Sequence, residues 1–169
     1  MYFCVMEDFI KNLPKLAKER HNVHQKFLKK LRQKKPKSLD RDMQDLHDET
    51  FEEIDCLSCA NCCKTTGPLF TNKDIERLAK HLKIKPAAFV DTYLRLDEDN
   101  DYVLKQLPCP FLANDNYCLI YDVRPKACAE FPHTNRKKFY QINHLTLKNT
   151  AVCPAAFSIV EKMLDRVKL

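Results

Sequence analysis

The chain has 169 residues, a length typical of one folded domain, and a net charge of +6. Its single glycine, Gly67, excludes the glycine-rich loops of dinucleotide-binding folds and of P-loop nucleotide hydrolases. No apolar stretch approaches the roughly 20 residues of a transmembrane helix, and the first residues lack the basic start and cleavage site of a signal peptide, so we expect a cytoplasmic protein with no membrane contact.

Two helices are predicted before the main cluster of cysteines. Residues 11–37 contain eleven Lys or Arg side chains but one acid, Glu19, and their apolar residues recur at nearly helical spacing. This pattern predicts a basic amphipathic helix over about 16–34, which ends before Pro36. An acidic helix is predicted over about 39–54, and its charge favours electrostatic pairing with the basic helix.

Shorter helices are predicted in the rest of the chain. Thr71, with Asp74 three residues later, has the pattern of a capping box at the start of a helix. Proline is common in the first turn of helices, and further helices are predicted to start near Pro86, Arg124-Pro125 and Pro154. The short helix after Pro125 would carry one of the cysteines.

One β-hairpin is predicted after an acidic turn at 97–101. We expect strands over 102–107 and 117–121 to pair, which would place Cys109 and Cys118 on the hairpin. The predicted fold is mainly α with a small β-hairpin, a compact single domain arranged around a cysteine-rich metal centre. The predicted regions are an N-terminal helical region, 1–54, a cysteine-cluster core, 55–155, and a C-terminal helix, 156–169.

The nine cysteines are the most informative feature of the sequence. In a reducing compartment so many thiols are more often metal ligands than disulfides. Four of them form the pattern Cys56-x2-Cys59-x2-Cys62-Cys63, and cysteines at this spacing can bind one ion because the turn between them curls around it. If this stretch is one helix, Cys56, Cys59 and Cys63 share a face and Cys62 points elsewhere.

The other cysteines are weaker signals. Each of Cys109, Cys118, Cys128 and Cys153 is as compatible with a buried apolar side chain as with a ligand when taken alone. Eight cysteines would fill two four-thiolate sites, or one such site with four bystanders. Cys4 is expected to be a bystander, because it lies far from the others near the N-terminus.

Five segments of the chain are informative together: CLSCANCCKT, FTNKDIERLAKHL, CPFLANDNYCLIY, RPKACAEFP and a late Cys-Pro. They resemble the YkgJ-type cysteine-cluster family, whose members are described as zinc- or iron-chelating proteins with a CxxCxxCC signature. Family members are often labelled iron–sulfur oxidoreductases, and a flagellin lysine methylase carries a similar cluster. The ligands that the resemblance implies are Cys56, Cys59, Cys62, Cys63, Cys109, Cys118, Cys128 and Cys153.

Zinc is the expected metal, and iron or an iron–sulfur cluster is the alternative. Tetrahedral thiolate sites suit both, but zinc is the commoner metal in stable structural sites. An iron–sulfur cluster needs apolar surroundings, which Phe111, Leu112, Ile120 and Phe131 would supply. We favour a metal-chelating protein without turnover, with no catalytic residue predicted. If the protein is an enzyme, we expect an iron–sulfur oxidoreductase or a component of a protein-modification system.

Metal ions are the expected partners, and the sequence identifies no protein partner. The basic segment 11–37 raises the alternative of a nucleic-acid-binding zinc protein, but it holds one aromatic residue, Phe27, and no known motif, so a solvated helix face is favoured. His21 and His24 are expected on that solvated side. His133 follows Cys128 closely and is the best-placed histidine for a metal role.

Overall fold

A computed structural model describes the backbone of residues 2–169 and the side chains from Met6 onwards. The helices are α1 (Tyr2–Lys34), α2 (Leu39–Glu53), α3 (Cys56–Cys59), α4 (Asn61–Thr65), α5 (Asn72–His81), α6 (Pro86–Tyr93), α7 (Lys126–Glu130), α8 (Asn143–Asn149) and α9 (Pro154–Arg166). The strands are β1 (Leu94–Leu96) and β2 (Tyr102–Leu104), and short 3-10 helices cover Tyr121–Val123 and Phe139–Ile142. The predicted fold class, mainly α with one small hairpin, is confirmed.

The chain divides into two units. The first unit contains the chain up to Cys59 together with Pro132–Leu169, and the second contains Ala60–Phe131. None of the helices that the structure describes is long and apolar enough to cross a lipid bilayer.

The first unit is a helical assembly built on α1, α2, α8 and α9. Its main apolar cluster joins Leu28 and Leu31 of α1 to Met43 and Leu46 of α2 and to Met163 of α9. Each of these side chains is at most 2% exposed, and burying one of this size stabilises the fold by roughly 1.5–3 kcal/mol. Helix α2 has nearly the predicted bounds, because its apolar residues repeat at helical spacing.

Helix α1 begins much earlier than predicted. It starts at Tyr2 instead of near residue 16, and Pro14 lies inside it. Proline within a helix removes one hydrogen bond and costs about 3 kcal/mol. Leu13 and Ala17, on either side of Pro14, are buried against Phe157 of α9, and this packing offsets the cost.

The sequence predicted that the acidic helix α2 would pair with α1 by charge, and this prediction is wrong for the side chains that the structure describes. Its ion pairs to other helices, among the side chains that the structure describes, go to α9: Arg166 binds Glu49 at 2.8 Å and Lys162 lies 3.4 Å from Glu53. The contacts of α2 with α1 are apolar. Helix α9 therefore neutralises Glu49 and Glu53, two of the acids that the sequence assigned to the basic helix.

The second unit packs α5 and α6 against the hairpin. Thr71 caps α5 in a complete capping box with Asp74, as predicted, and Pro86 occupies the first turn of α6. Phe89 of α6 is fully buried and contacts the rings of Phe70 and Phe111. This apolar cluster also includes the half-buried side chains of the cysteines that follow the hairpin.

The hairpin was predicted with the wrong pair of strands. Strand β2 pairs with β1, with Leu94 opposite Leu104, and 97–101 forms the connecting turn. The segment expected at 117–121 makes only an isolated bridge, between Leu112 and Cys118. Closing a short loop costs less entropy than closing a long one, and pairing β2 with β1 also buries both Leu94 and Leu104.

Candidate metal centre

The cysteine pattern at 56–63 is not one helix. Ala60 adopts a left-handed backbone conformation, with φ of 47°, between α3 and α4. This conformation costs a non-glycine residue roughly 1–2 kcal/mol and interrupts the helical register. The shared face expected for Cys56, Cys59 and Cys63 therefore does not form, and the pattern contributes Cys56 and Cys59 to the first unit and the pair at 62–63 to the second.

Backbone hydrogen bonds bring three cysteine segments of the second unit together. The N–H of Cys109 donates to the carbonyl oxygen of Cys63 at 2.8 Å. The bridge between Leu112 and Cys118, extended by a 2.9 Å bond from the N–H of Leu119 to the carbonyl of Phe111, aligns the Cys118 segment beside that of Cys109. These contacts bring together cysteines that are far apart in the sequence.

Four thiols of the second unit are close enough for the charge of one to change the pKa of another. Burial, together with the charges of the other three, raises the pKa of Cys128 to about 12. Burial and the charge of Cys63 likewise raise the pKa of Cys109, to about 11, and raise that of Cys118. We call this set the four-thiol group: Cys63, Cys109, Cys118 and Cys128.

Cys63 differs from the other members of the four-thiol group because its pKa is lowered. A hydrogen bond from the thiol of Cys62 is the main cause, and with help from the charge of Lys64 it outweighs the opposing effect of burial, which brings the pKa to about 7. A thiolate, not a thiol, is the species that binds a metal. Cys63 is therefore the member of the group that loses its proton most readily.

Backbone N–H groups point at two of the sulfurs. The N–H of Phe111 donates to Cys109 and the N–H of Ile120 donates to Cys118, in each case from two residues further along the chain. Such bonds favour the charged form of a thiol and so lower its pKa. Arg124, whose guanidinium lies 3.9 Å from the centre of the Tyr121 ring, also lowers the pKa of Cys118.

Three cysteines form a second set, in the first unit. Cys153 caps the start of α9, and its sulfur accepts a 3.4 Å hydrogen bond from the N–H of Ala156. Burial, together with the charges of Cys56 and Cys59, raises the pKa of Cys153 to about 12. Cys59 is buried and Cys56 is exposed. We call Cys56, Cys59 and Cys153 the three-thiol group.

The thiols of these groups are neighbours, but they are not arranged as a finished coordination shell. Within the part of the chain whose side chains are described, no three His, Cys, Asp or Glu residues stand ready to hold a metal ion. The donor chemistry nevertheless fits zinc or iron, since both accept four thiolates. Burial disfavours each free thiolate, and a bound cation would supply the charge that compensates for it.

The remaining predicted residues lie as follows. His21 is exposed, as expected, but His24 is fully buried, because it packs against Phe157 and hydrogen-bonds to Glu161 of α9. A metal role for His133 stays a prediction. Cys4 lies outside the side chains that the structure describes.

Sequence reasoning missed Arg77. Its guanidinium binds Asp74 and donates to the carbonyl oxygens of Val123 and Arg124, next to the helix that carries Cys128. The capping box was visible in the sequence, and an arginine three residues after Asp74 was a signal that its carboxylate has a second partner.

Comparison with known proteins agrees with the thiol chemistry. The family model named CxxCxxCC, described as a candidate zinc- or iron-chelating domain, matches residues 55–153, more than half of the chain. No curated protein and no solved structure gives a significant match. The matched segment contains every cysteine of the chain except Cys4. The chain therefore belongs to the CxxCxxCC family of zinc- or iron-chelating domains.

Proposed function

We propose that this protein chelates zinc through two separate groups of thiolates, one in each unit, and that it does so without catalytic turnover. The four-thiol group supplies four donors, the number that a tetrahedral zinc site requires. The observation that carries the proposal is the backbone pairing that joins Cys109 to Cys63 by a 2.8 Å hydrogen bond and sets the Cys118 segment beside that of Cys109. Cys128 lies near enough for the charges of the other three to raise its pKa. Membership of a family described as metal-chelating supports it.

The surroundings of the four-thiol group suit a metal ion with four thiolates, which together carry a net charge of −2. Lys64 lowers the pKa of Cys63, and Arg124 lowers those of Cys118 and Cys128, so positive charge is already present where the thiolates would form. The bound ion would stabilise the thiolate forms. Through the thiolates, the ion would hold three parts of the chain together: α4, α7 and the segment that follows β2.

Cys62, which was predicted as a ligand, lies beside the four-thiol group and has two alternative roles in this proposal. Its thiol is already at hydrogen-bonding distance from the sulfur of Cys63, so it can reach the same ion or assist its neighbour. Metal content separates these two roles. If Cys62→Ser loses an ion, Cys62 is a ligand, whereas an unchanged stoichiometry with weaker affinity indicates that it acts through the hydrogen bond to Cys63.

The three-thiol group provides three of the four donors that a tetrahedral ion requires. Cys153 sits at the start of α9, where the helix dipole and the N–H of Ala156 favour a negative sulfur. Cys56 and Cys59 come from α3, whose first turn is held by the carboxylate of Asp55 through the N–H groups of Leu57 and Ser58. We propose that this group binds a second ion and completes its shell with one further donor.

An iron–sulfur cluster is the second candidate for the four-thiol group. It is favoured by the apolar residues next to the cysteines, because Phe111 and Ile120 are each at most 5% exposed and their N–H groups donate to Cys109 and Cys118. Hydrogen bonds to sulfur and exclusion of water are the means by which proteins tune such clusters. Protein purified without oxygen would then be coloured and contain iron and sulfide. A colourless protein with stoichiometric zinc would exclude this alternative.

Elemental analysis of matched cysteine variants tests the proposal. We expect two zinc ions per chain in the unmodified protein, one in Cys128→Ser and one in Cys59→Ser. Cys4→Ser is the control, because it is the same chemical change outside both groups, and it should retain two ions. Unchanged metal content and melting temperature in both Cys128→Ser and Cys59→Ser would contradict the proposal.

A further inference from the structure

The exposed face of α1 carries a row of lysines directly opposite its buried face. The side chains of Leu13, Ala17, His24, Leu28 and Leu31 face the protein interior. At about 100° per residue, the opposite face falls on a set of exposed lysines at helical spacing. We call it the lysine ridge: Lys11, Lys15, Lys18, Lys26 and Lys29. With a rise of about 1.5 Å per residue, the ridge is roughly 27 Å long.

The charge of the lysine ridge is not neutralised within the protein. Glu19 is the one acid in residues 11–37, and no ion pair to a ridge lysine occurs among the side chains that the structure describes. The acids of α2 that bind other helices are engaged by α9, through Arg166 and Lys162. Like charges one helical turn apart repel each other, so a polyanion bound along the ridge would relieve this repulsion.

We propose that the lysine ridge binds the phosphate backbone of double-stranded DNA, without reading its sequence. A row of lysines along roughly 27 Å of one helix face suits a stiff rod that presents one phosphate charge about every 3.4 Å along each strand. Between the lysines the helix exposes Glu19, Asn22, Val23 and Gln25. The guanidinium of Arg20, in the same stretch, is bound to Glu161 and is not placed to contact base edges. The interaction is therefore electrostatic and depends on the release of counterions from the DNA.

Two other polyanionic surfaces fit the ridge less well. An amphipathic helix binds a membrane by burying its apolar face in the lipid, but the apolar face of α1 is occupied by the protein core. Single-stranded nucleic acid is bound largely by stacking its bases on aromatic side chains. The one aromatic residue of the 11–37 segment, Phe27, is half-buried against the apolar cluster of the first unit. Duplex DNA requires neither an apolar face nor an exposed aromatic ring.

Fluorescence anisotropy with a labelled duplex DNA of about 20 base pairs, titrated at several salt concentrations, tests the proposal on the full-length protein. The ridge variant combines Lys11→Gln, Lys15→Gln, Lys18→Gln and Lys29→Gln. Its control combines Lys73→Gln, Lys80→Gln, Lys148→Gln and Lys168→Gln, which removes the same charge from other exposed positions. Glutamine has nearly the helix propensity of lysine, so both variants should fold.

We expect the ridge variant to lose at least about tenfold in affinity at low salt, and the slope of log K against log salt to become shallower by roughly 3–4, since each lost phosphate contact removes about 0.9. The control should stay within about twofold of the unmodified protein. Both variants should keep their metal content and melting temperature, so the outcome is independent of metal chelation.

Three results would overturn the proposal. The first is equal loss of affinity in the ridge and control variants, which would indicate a general charge effect. The second is unchanged affinity in the ridge variant. The third is tighter binding to vesicles containing phosphatidylserine, or to polyglutamate, than to the duplex.

Discussion

The carboxylate of Asp74 accepts a 3.0 Å hydrogen bond from the backbone N–H of Lys126, which joins the start of α5 to the start of α7. Arg77 binds the same carboxylate at 2.5 Å and donates to the carbonyl oxygens of Val123 and Arg124. The two side chains therefore hold the backbone on both sides of Pro125. Because α7 carries Cys128, this contact sets the position of one member of the four-thiol group.

We predict that Asp74→Asn lowers the free energy of unfolding by about 1–3 kcal/mol, since the asparagine amide lacks the charge that binds Arg77 and has one acceptor oxygen for several donors. Asp74 is 1% exposed, so water cannot replace the lost partners. Urea unfolding measures the change. Asp91→Asn is the control: Asp91 is exposed in α6 of the same unit, and its substitution should change stability by less than about 0.5 kcal/mol. Equal effects of the two substitutions would show that the Asp74 contact is not stabilising.

The stabilising effect of Asp74 should depend on pH. Burial alone would raise the pKa of Asp74, but hydrogen bonds from Thr71, Arg77 and the N–H of Lys126 together outweigh it, so the pKa is lowered. A carboxyl with a lowered pKa in the folded protein stabilises it above the unfolded pKa, about 3.9 for Asp, and loses that contribution as the pH falls through the folded pKa.

The stability difference between the unmodified protein and Asp74→Asn should therefore be largest near neutral pH and shrink below about pH 4. Urea titrations of both proteins at several pH values check this, and any acid-induced loss of metal affects both proteins. A difference that stays constant down to about pH 3 would show that Asp74 acts through its shape and not through its charge.

Two glutamates offer a matched comparison in the first unit. Arg20 binds Glu161 with two hydrogen bonds, at 2.7 and 2.9 Å, and Arg166 binds Glu49 in the same bidentate way, at 2.8 and 2.9 Å. Glu161 additionally contacts His24, which is fully buried. We predict that Glu161→Gln lowers the free energy of unfolding by about 1–3 kcal/mol, because it weakens the hydrogen bond to the buried ring of His24 and removes the charge that binds Arg20.

Glu49→Gln should have a smaller effect, since exposed ion pairs contribute little to stability. Thermal or urea unfolding of the two variants side by side measures the contrast. If both glutamates give the same loss, the buried histidine adds nothing to the Glu161 interaction.

Removal of metal should destabilise the fold. The thiols of the four-thiol group are half-buried, and an ion bound by them would tie together segments that are distant in the sequence. We predict that a strong chelator lowers the melting temperature by several degrees or more and that added zinc restores it. Circular dichroism during the cycle measures the change, with Cys4→Ser treated in parallel. A melting temperature unaffected by the chelator, with metal shown to be removed, would contradict the coupling of metal binding to folding.

Local signals in the sequence predicted the elements that depend on neighbouring residues. Three helices were specified by residues close together in the sequence: α5 by the capping box of Thr71 and Asp74, α6 by the proline in its first turn, and α2 by its repeat of apolar residues. The density of cysteines likewise indicated metal chemistry, because four thiols within eight residues are improbable as isolated apolar side chains. These features, and membership of the family, could be predicted from residue order alone.

Contacts between distant residues decided the rest. The sequence pattern offered 117–121 as the partner of strand β2, whereas the pairing with β1 depends on the burial of Leu94 and Leu104, which no local pattern reveals. His24 looks like a surface residue of a basic helix until α9 supplies Glu161 and Phe157 beside it. The left-handed turn at Ala60 divides a cysteine pattern that reads as continuous, because the chain passes there from one packed unit to the next. The sequence by itself thus determined which atoms are available to bind a metal, whereas the grouping of those atoms followed from long-range packing and backbone hydrogen bonds, which depend on the fold as a whole.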